Sequence, residues 1–138
     1  MKTYKYPLTK LPSNGIFVFG SNTQGRHGMG AALTARILFG AKYGQAKGLQ
    51  GNSYAIITKD LTKTIHPSIN KDDILKQINA LYNYADDNLH LNFYIAYSGK
   101  GLNLNSYTPK EMADMFNYFN IPVNIVFEEE FAKLLQIK

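Results

Sequence analysis

Between residues 20 and 32 the chain reads Gly-Ser-Asn-Thr-Gln-Gly-Arg-His-Gly-Met-Gly-Ala-Ala, with polar side chains that can act on a ligand set among four glycines. Gly28 and Gly30 carry no Cβ, so backbone amides there can approach a ligand closely. A helix beginning just beyond, at Ala31, would aim its positive end at a phosphate. Within the same run, after Gly20 and Ser21, Asn22 can hydrogen-bond a ribose hydroxyl or orient a water without carrying charge. Arg26 offers a planar fork for phosphate, and His27 is suited to acid or base work near neutral pH. The plainer alternatives are a loop Asn that tolerates a left-handed backbone, a solvated Arg and a hydrogen-bonding His. An ordinary turn between strand and helix takes about 2–6 residues, so this run is longer than a connection requires. A second run, Ser98-Gly99-Lys100-Gly101-Leu102-Asn103, offers a Gly-x-Gly anion cradle with Lys100 as its charge; by itself it reads equally well as a tight turn. Neither run has the spacing of a P-loop or of a dinucleotide fingerprint.

Other chemistries lack their residues. With no cysteine, a thiol nucleophile, a Cys-type zinc site and a disulfide framework are excluded. His27, His66 and His90 have no metal-ligand spacing, and the adjacent pairs Asp72/Asp73 and Asp86/Asp87 point different ways on a helix. No Ser has a credible His–Asp partner. Glu128–Glu130 reads as charge at a helix start. No metal and no cofactor are expected.

Both glycine runs follow apolar stretches that read as strands. Residues 16–19 (IFVF) lack polar alternation and predict a strand buried on both faces, closed by Gly20. Helix formers over 31–39 stop at Gly40, and residues 40–52 predict loop or short irregular helix. Residues 53–58 and 92–97 predict further strands. Between them Ile74, Ile78, Leu81 and Ala85 form one apolar stripe on a helix over 72–88 that starts near Asn70 or Lys71. Thr108-Pro109-Lys110-Glu111 has the N-cap, first-turn proline and box-closing Glu of a helix running through Phe119. A strand over 122–127 and a helix over 128–136 close the chain. Residues 1–14 predict an irregular arm with an edge strand near residues 3–6. Strands alternating with helices predict an α/β fold of one domain over residues 1–138: a three-layer α/β/α sandwich on a mostly parallel, mixed sheet. Ligands of such sheets bind beyond the carboxyl ends of the strands, where both glycine runs would lie.

The chain has 138 residues, 45% of them apolar and 18% charged, which suits a folded domain and excludes a disordered or fibrous one. Residues 1–69 carry nine Lys or Arg against one acid, Asp60, whereas residues 70–138 carry six against nine. A basic half predicts either plain solubility or an anionic partner, nucleic acid or a phosphorylated small molecule. No recognisable nucleic-acid reading motif accompanies it, so nucleic acid is the lesser expectation. No apolar run reaches the ~18 residues of a membrane span, and the first residues lack a signal-peptide stretch. A cytoplasmic protein without a membrane partner is expected.

The segments FVFGSNTQGRHGMGAA, GLQGNSYAIITKD, FYIAYSGKGLNLNSYTPKEMADMF and IPVNIVFEEEF, together covering roughly residues 15–131, resemble macro domains. More narrowly, they resemble short phage and bacterial macro-like proteins similar to ADP-ribose-1″-phosphate processing enzymes. The resemblance implies binding of ADP-ribose or a related NAD-derived nucleotide, with hydrolysis near the distal ribose if there is turnover. It places Asn22 against the distal ribose and Gly28, Gly30 and Ala31 in a first phosphate loop. Gly99, Lys100, Gly101 and Leu102 fall in a second loop that closes over the diphosphate. On this reading Asn22 and His27 are the catalytic candidates, and Gly20, Ser21, Arg26 and Ser98 complete the ligand contacts. The family's adenine-recognising Asp has no counterpart, because residues 1–15 contain no acid. The alternatives are a non-catalytic reader or sponge of a nucleotide signal, and an RNA-associated protein acting through the basic half.

Overall fold

The apolar run at residues 16–19 takes the middle of the sheet, where both faces are covered. In the computed structural model, which describes residues 2–100 and 103–135, six strands form one sheet. They are β1 (Thr3–Tyr4), β2 (Gly15–Asn22), β3 (Gly48–Gln50), β4 (Ser53–Lys59), β5 (Asn92–Ile95) and β6 (Ile125–Glu128). Their order is β1-β6-β5-β2-β4-β3, parallel throughout except for the antiparallel pair β3–β4. Four helices, α1 (Gly30–Leu38), α2 (Lys71–Asp86), α3 (Pro109–Phe116) and α4 (Glu129–Leu135), complete the predicted α/β/α sandwich.

Alternate residues of β2 serve different cores. Phe17 and Phe19 face α1, packing with Ala32, Ala35 and Phe39 and with Leu8 and Leu11 of the N-terminal arm. Ile16 and Val18 face the larger core, where α2, α3 and α4 bury Ile74, Ile78, Leu81, Met112, Phe116 and Phe131. Fully burying side chains of this size is worth about 1.5–3 kcal/mol each. The Asn70 side chain accepts the Asp73 amide at 2.9 Å to start α2, and Thr108 with Glu111 closes the expected capping box on α3.

Several expected boundaries move. β2 does not close at Gly20 but continues to Asn22, because residues 20–22 still pair with β4. The 40–52 stretch is not simply loop, since β3 forms there by pairing with β4. β5 stops at Ile95 instead of residue 97, and β6 occupies Ile125–Glu128 instead of 122–127. α2 and α3 end at Asp86 and Phe116, short of residues 88 and 119, and α4 starts at Glu129, because Glu128 remains in the sheet. The edge strand of the arm is only Thr3–Tyr4, paired with β6. Among the described residues no helix is long and apolar enough to cross a membrane.

β2 has β4 on one side and β5 on the other, so strand order reverses beside it. β5 ends opposite Val18, whereas β2 runs on to pair Gly20 with Ile56. The sheet therefore opens beside Gly20 at its carboxyl edge, the place where α/β sheets take ligands.

Candidate functional site

A cleft of about 540 Å³ fills this opening, a volume within the range of small-molecule sites. Phe17, Gly20, Thr58, Ala96 and Tyr97 line it from the sheet side. One wall is α1 with Met29, Gly30, Ala31 and Thr34; facing it are Ser98 and the segment Asn103–Asn105. The N-terminal arm supplies Tyr4, Tyr6, Leu8 and Thr9. Among these described residues none is a Lys, Arg, His, Asp or Glu.

The start of α1 opens onto the cleft. Met29 stands at the N-cap position with extended backbone (φ −146°, ψ 154°), gives no side-chain cap, and no acid follows in the first turn. A helix start left this way presents unsatisfied amides and a partial positive charge. Gly30 has φ +59°, a conformation in which side chains are strained, and an added Cβ would lie 3.1 Å from Leu104 Cδ1. Leu104 thus roofs the helix start.

The arm was not among the expected site residues. The Tyr4 hydroxyl donates to the Ile95 carbonyl at 2.7 Å, and burial, with Glu128 and Tyr6 nearby, holds its pKa far above the ordinary phenol value. Tyr6 is 71% exposed at the cleft rim and offers an open aromatic face. The available signal was a pair of tyrosines spaced two apart, which puts both on one face of an extended segment.

Of the expected ligand contacts, Gly20, Gly30, Ala31 and Ser98 lie on the cleft. Asn22 does not. Its Oδ1 accepts the amides of Gln24 (3.2 Å) and Arg26 (2.9 Å), and its Nδ2 donates to the Arg26 carbonyl at 2.8 Å. Both ends of the amide take part in shaping residues 22–26, and Asn22 is not among the residues that line the cleft. Asn22→Ala is therefore expected to destabilise the domain by about 1–3 kcal/mol, as the loss of several local hydrogen bonds implies. Chemical denaturation of the ligand-free protein measures this; an unchanged midpoint would remove Asn22 from the loop's architecture.

His27 likewise lies off the cleft lining. Its ring is 0% exposed and stands edge-on to Phe19 at 5.1 Å. Nε2 faces two acceptors, the Gln45 carbonyl at 3.0 Å and Gln50 Oε1 at 3.1 Å, so Nε2 carries the proton and donates. Gln50 in turn accepts the Lys42 amide at 2.8 Å. The His27 carbonyl receives Arg36 Nε at 3.1 Å, and the Gly25 carbonyl receives the Gly44 amide at 2.9 Å. The His27 ring and the Gly25 carbonyl therefore fasten the first glycine run to the chain's own 44–50 segment, a partner too distant in sequence to be read from the run itself. Arg26 and Gly28 are exposed and Ser21 is buried, all three off the cleft lining.

The second run differs as well. The Gly99 amide donates to Glu128 Oε1 at 2.9 Å, and the same carboxylate accepts the Glu130 and Phe131 amides at 2.7 and 3.2 Å. A Cβ on Gly99 would lie 2.6 Å from the Glu130 carbonyl carbon. Gly99 is thus a close-packing glycine whose amide already has an anion, the 3% exposed Glu128, and it is not a free phosphate donor. Lys100 is exposed and outside the lining. The expectations at Gly101 and Leu102 lie outside the described residues.

Fold and site together define an α/β/α sandwich with a cleft at the carboxyl edge of its sheet, whose described lining carries no charged side chain. Compared with protein-family models, curated proteins and solved structures, the chain matches none.

Proposed function

We propose that this domain binds ADP-ribose or a related NAD-derived nucleotide in the cleft between α1 and the residues Ser98 and Asn103–Asn105. The observation that carries the reading is the uncapped, acid-free start of α1 opening onto a cleft of about 540 Å³. That start suits a phosphate, and Tyr6 at the rim offers a surface on which a base can stack. With the Gly99 amide held by Glu128, the phosphate contacts among the described residues fall on the α1 side. Among the described lining residues the only groups that titrate are tyrosines, which favours a reader or sponge over a hydrolase, since general acid–base chemistry needs a group poised near the working pH.

A thermal-shift and calorimetric panel tests this. ADP-ribose is expected to raise the melting temperature more than AMP, by the equivalent of about 2.7 kcal/mol at a hundred times its Kd. Equal shifts with AMP, or none from ADP-ribose, would overturn the diphosphate reading. Binding of short RNA that weakens steeply with salt would favour the RNA-associated alternative through the basic half.

A further inference from the structure

Tyr97 lies just past β5, its ring packed 5.9 Å from Phe116 and 6.1 Å from Phe131. The other end of the side chain reaches the cleft floor beside Gly20: a Cβ there would sit 2.5 Å from the Tyr97 hydroxyl and 3.1 Å from Thr58 Oγ1. Tyr97 is 5% exposed, and its hydroxyl has no hydrogen-bond partner among the described residues. Burial pushes this hydroxyl up to about 12, against a smaller opposing influence from Thr58 and Asn105, which lie near it without meeting it in hydrogen-bond geometry. It is therefore a protonated, neutral group at any ordinary pH.

An orphaned buried hydroxyl costs about 1–3 kcal/mol, and phenylalanine would fill the same apolar niche without that cost. The position makes physical sense if something entering the cleft supplies the partner. We propose that the Tyr97 hydroxyl, with Thr58 beside it, is a recognition point for a sugar hydroxyl of the ligand, and that Tyr97 determines specificity for a ribose-bearing molecule. A hydroxyl suits it because Tyr97 and Thr58 each donate and accept, and a hydroxyl can satisfy both roles at one point, whereas a carbonyl only accepts. A charged group is disfavoured there, because no described lining side chain carries an opposite charge to offset its desolvation. Gly20 lets the Tyr97 hydroxyl lie this close to β2, where a Cβ would collide with it. The choice of ribose as the sugar rests on the nucleotide reading; the hydroxyl contact itself does not.

Calorimetry on the wild type and Tyr97→Phe with ADP-ribose, ribose 5-phosphate and inorganic pyrophosphate, together with a melt of each protein, tests it. Tyr97→Phe is expected to bind both sugar phosphates about tenfold more weakly, to treat pyrophosphate as the wild type does, and to melt no lower. Unchanged sugar-phosphate affinity, an equal loss for pyrophosphate, or a lower melting temperature would each overturn the proposal. Tyr97-dependent binding of ribose 5-phosphate without binding of ADP-ribose would retain the sugar contact and remove the nucleotide reading. ADP-ribose binding that ignores Tyr97→Phe would do the reverse, and a wild type that binds no sugar phosphate at millimolar concentration removes both.

Discussion

Met29→Asp should make the ligand-free domain more stable and, at the same time, a poorer binder of anions. Met29 holds the N-cap position with extended backbone but provides no cap, and it is 67% exposed, so a shorter polar side chain meets no steric obstacle. An aspartate there can accept the amides of the first turn and complement the helix dipole, worth about 0.5–2 kcal/mol. The same carboxylate then competes with a phosphate for those amides and repels it, so affinity for ADP-ribose is expected to fall about tenfold or more, at roughly 1.4 kcal/mol per decade. Folding and binding are thus expected to move in opposite directions, which makes the pair of measurements diagnostic. A stabilised protein that binds ADP-ribose as before would show that α1 does not hold the phosphate. Met29→Asn, which caps without charge, separates the two contributions.

The largest loss of stability is expected at Gly51, where the chain passes the end of α1. Gly51 has φ +58°, and a Cβ would lie 2.5 Å from the Gly40 carbonyl oxygen and 2.8 Å from the Gly40 Cα. Both obstacles are backbone, fixed by the Asn52 amide and the Ser53 hydroxyl donating to the Phe39 carbonyl at 2.9 Å each. Gly51→Ala should therefore cost about 3 kcal/mol or more, combining left-handed strain with overpacking, out of a total that for ordinary domains is about 5–15 kcal/mol. Gly44→Ala is the control. Its φ of +95° is equally unsuited to a side chain, but no heavy atom lies within 4 Å of its Cβ, so only the conformational cost remains. Urea unfolding of both variants distinguishes them, and equal losses would show that the contact with Gly40 carries no weight.

Features decided within a few residues were the legible ones. The apolar stripe of α2 and the Thr108–Glu111 box announce themselves because their partners lie within one or two helical turns. Gly40 was likewise readable as the stop of α1, and it takes φ +78° there. Strands β1 and β3, of two and three residues, carry too little pattern of their own; their neighbours β6 and β4 decide them. The same division holds at the site. Glycine spacing and the strand ends pointed to the carboxyl edge of the sheet, where the cleft opens, and Gly20, Gly30, Ala31 and Ser98 line it. What spacing could not reveal is where each polar atom is directed. Asn22 looked chemical because its type is, yet its partners are in its own loop. His27 turns inward to Gln45 and Gln50, and Tyr97, hidden in an apolar strand pattern, turned out to reach the cleft.

The hydrogen bonds that fasten Gly25 and His27 to residues 44–50 are internal to the chain and need no ligand atom. The approach to α1 is consequently a preorganised surface, and association there requires no loop to be frozen into place. Conformational ordering, which commonly consumes much of the gross interaction energy in flexible sites, is then a minor component of the entropy of binding. The heat-capacity change should accordingly match the apolar area the ligand itself covers, with no added contribution from coupled folding.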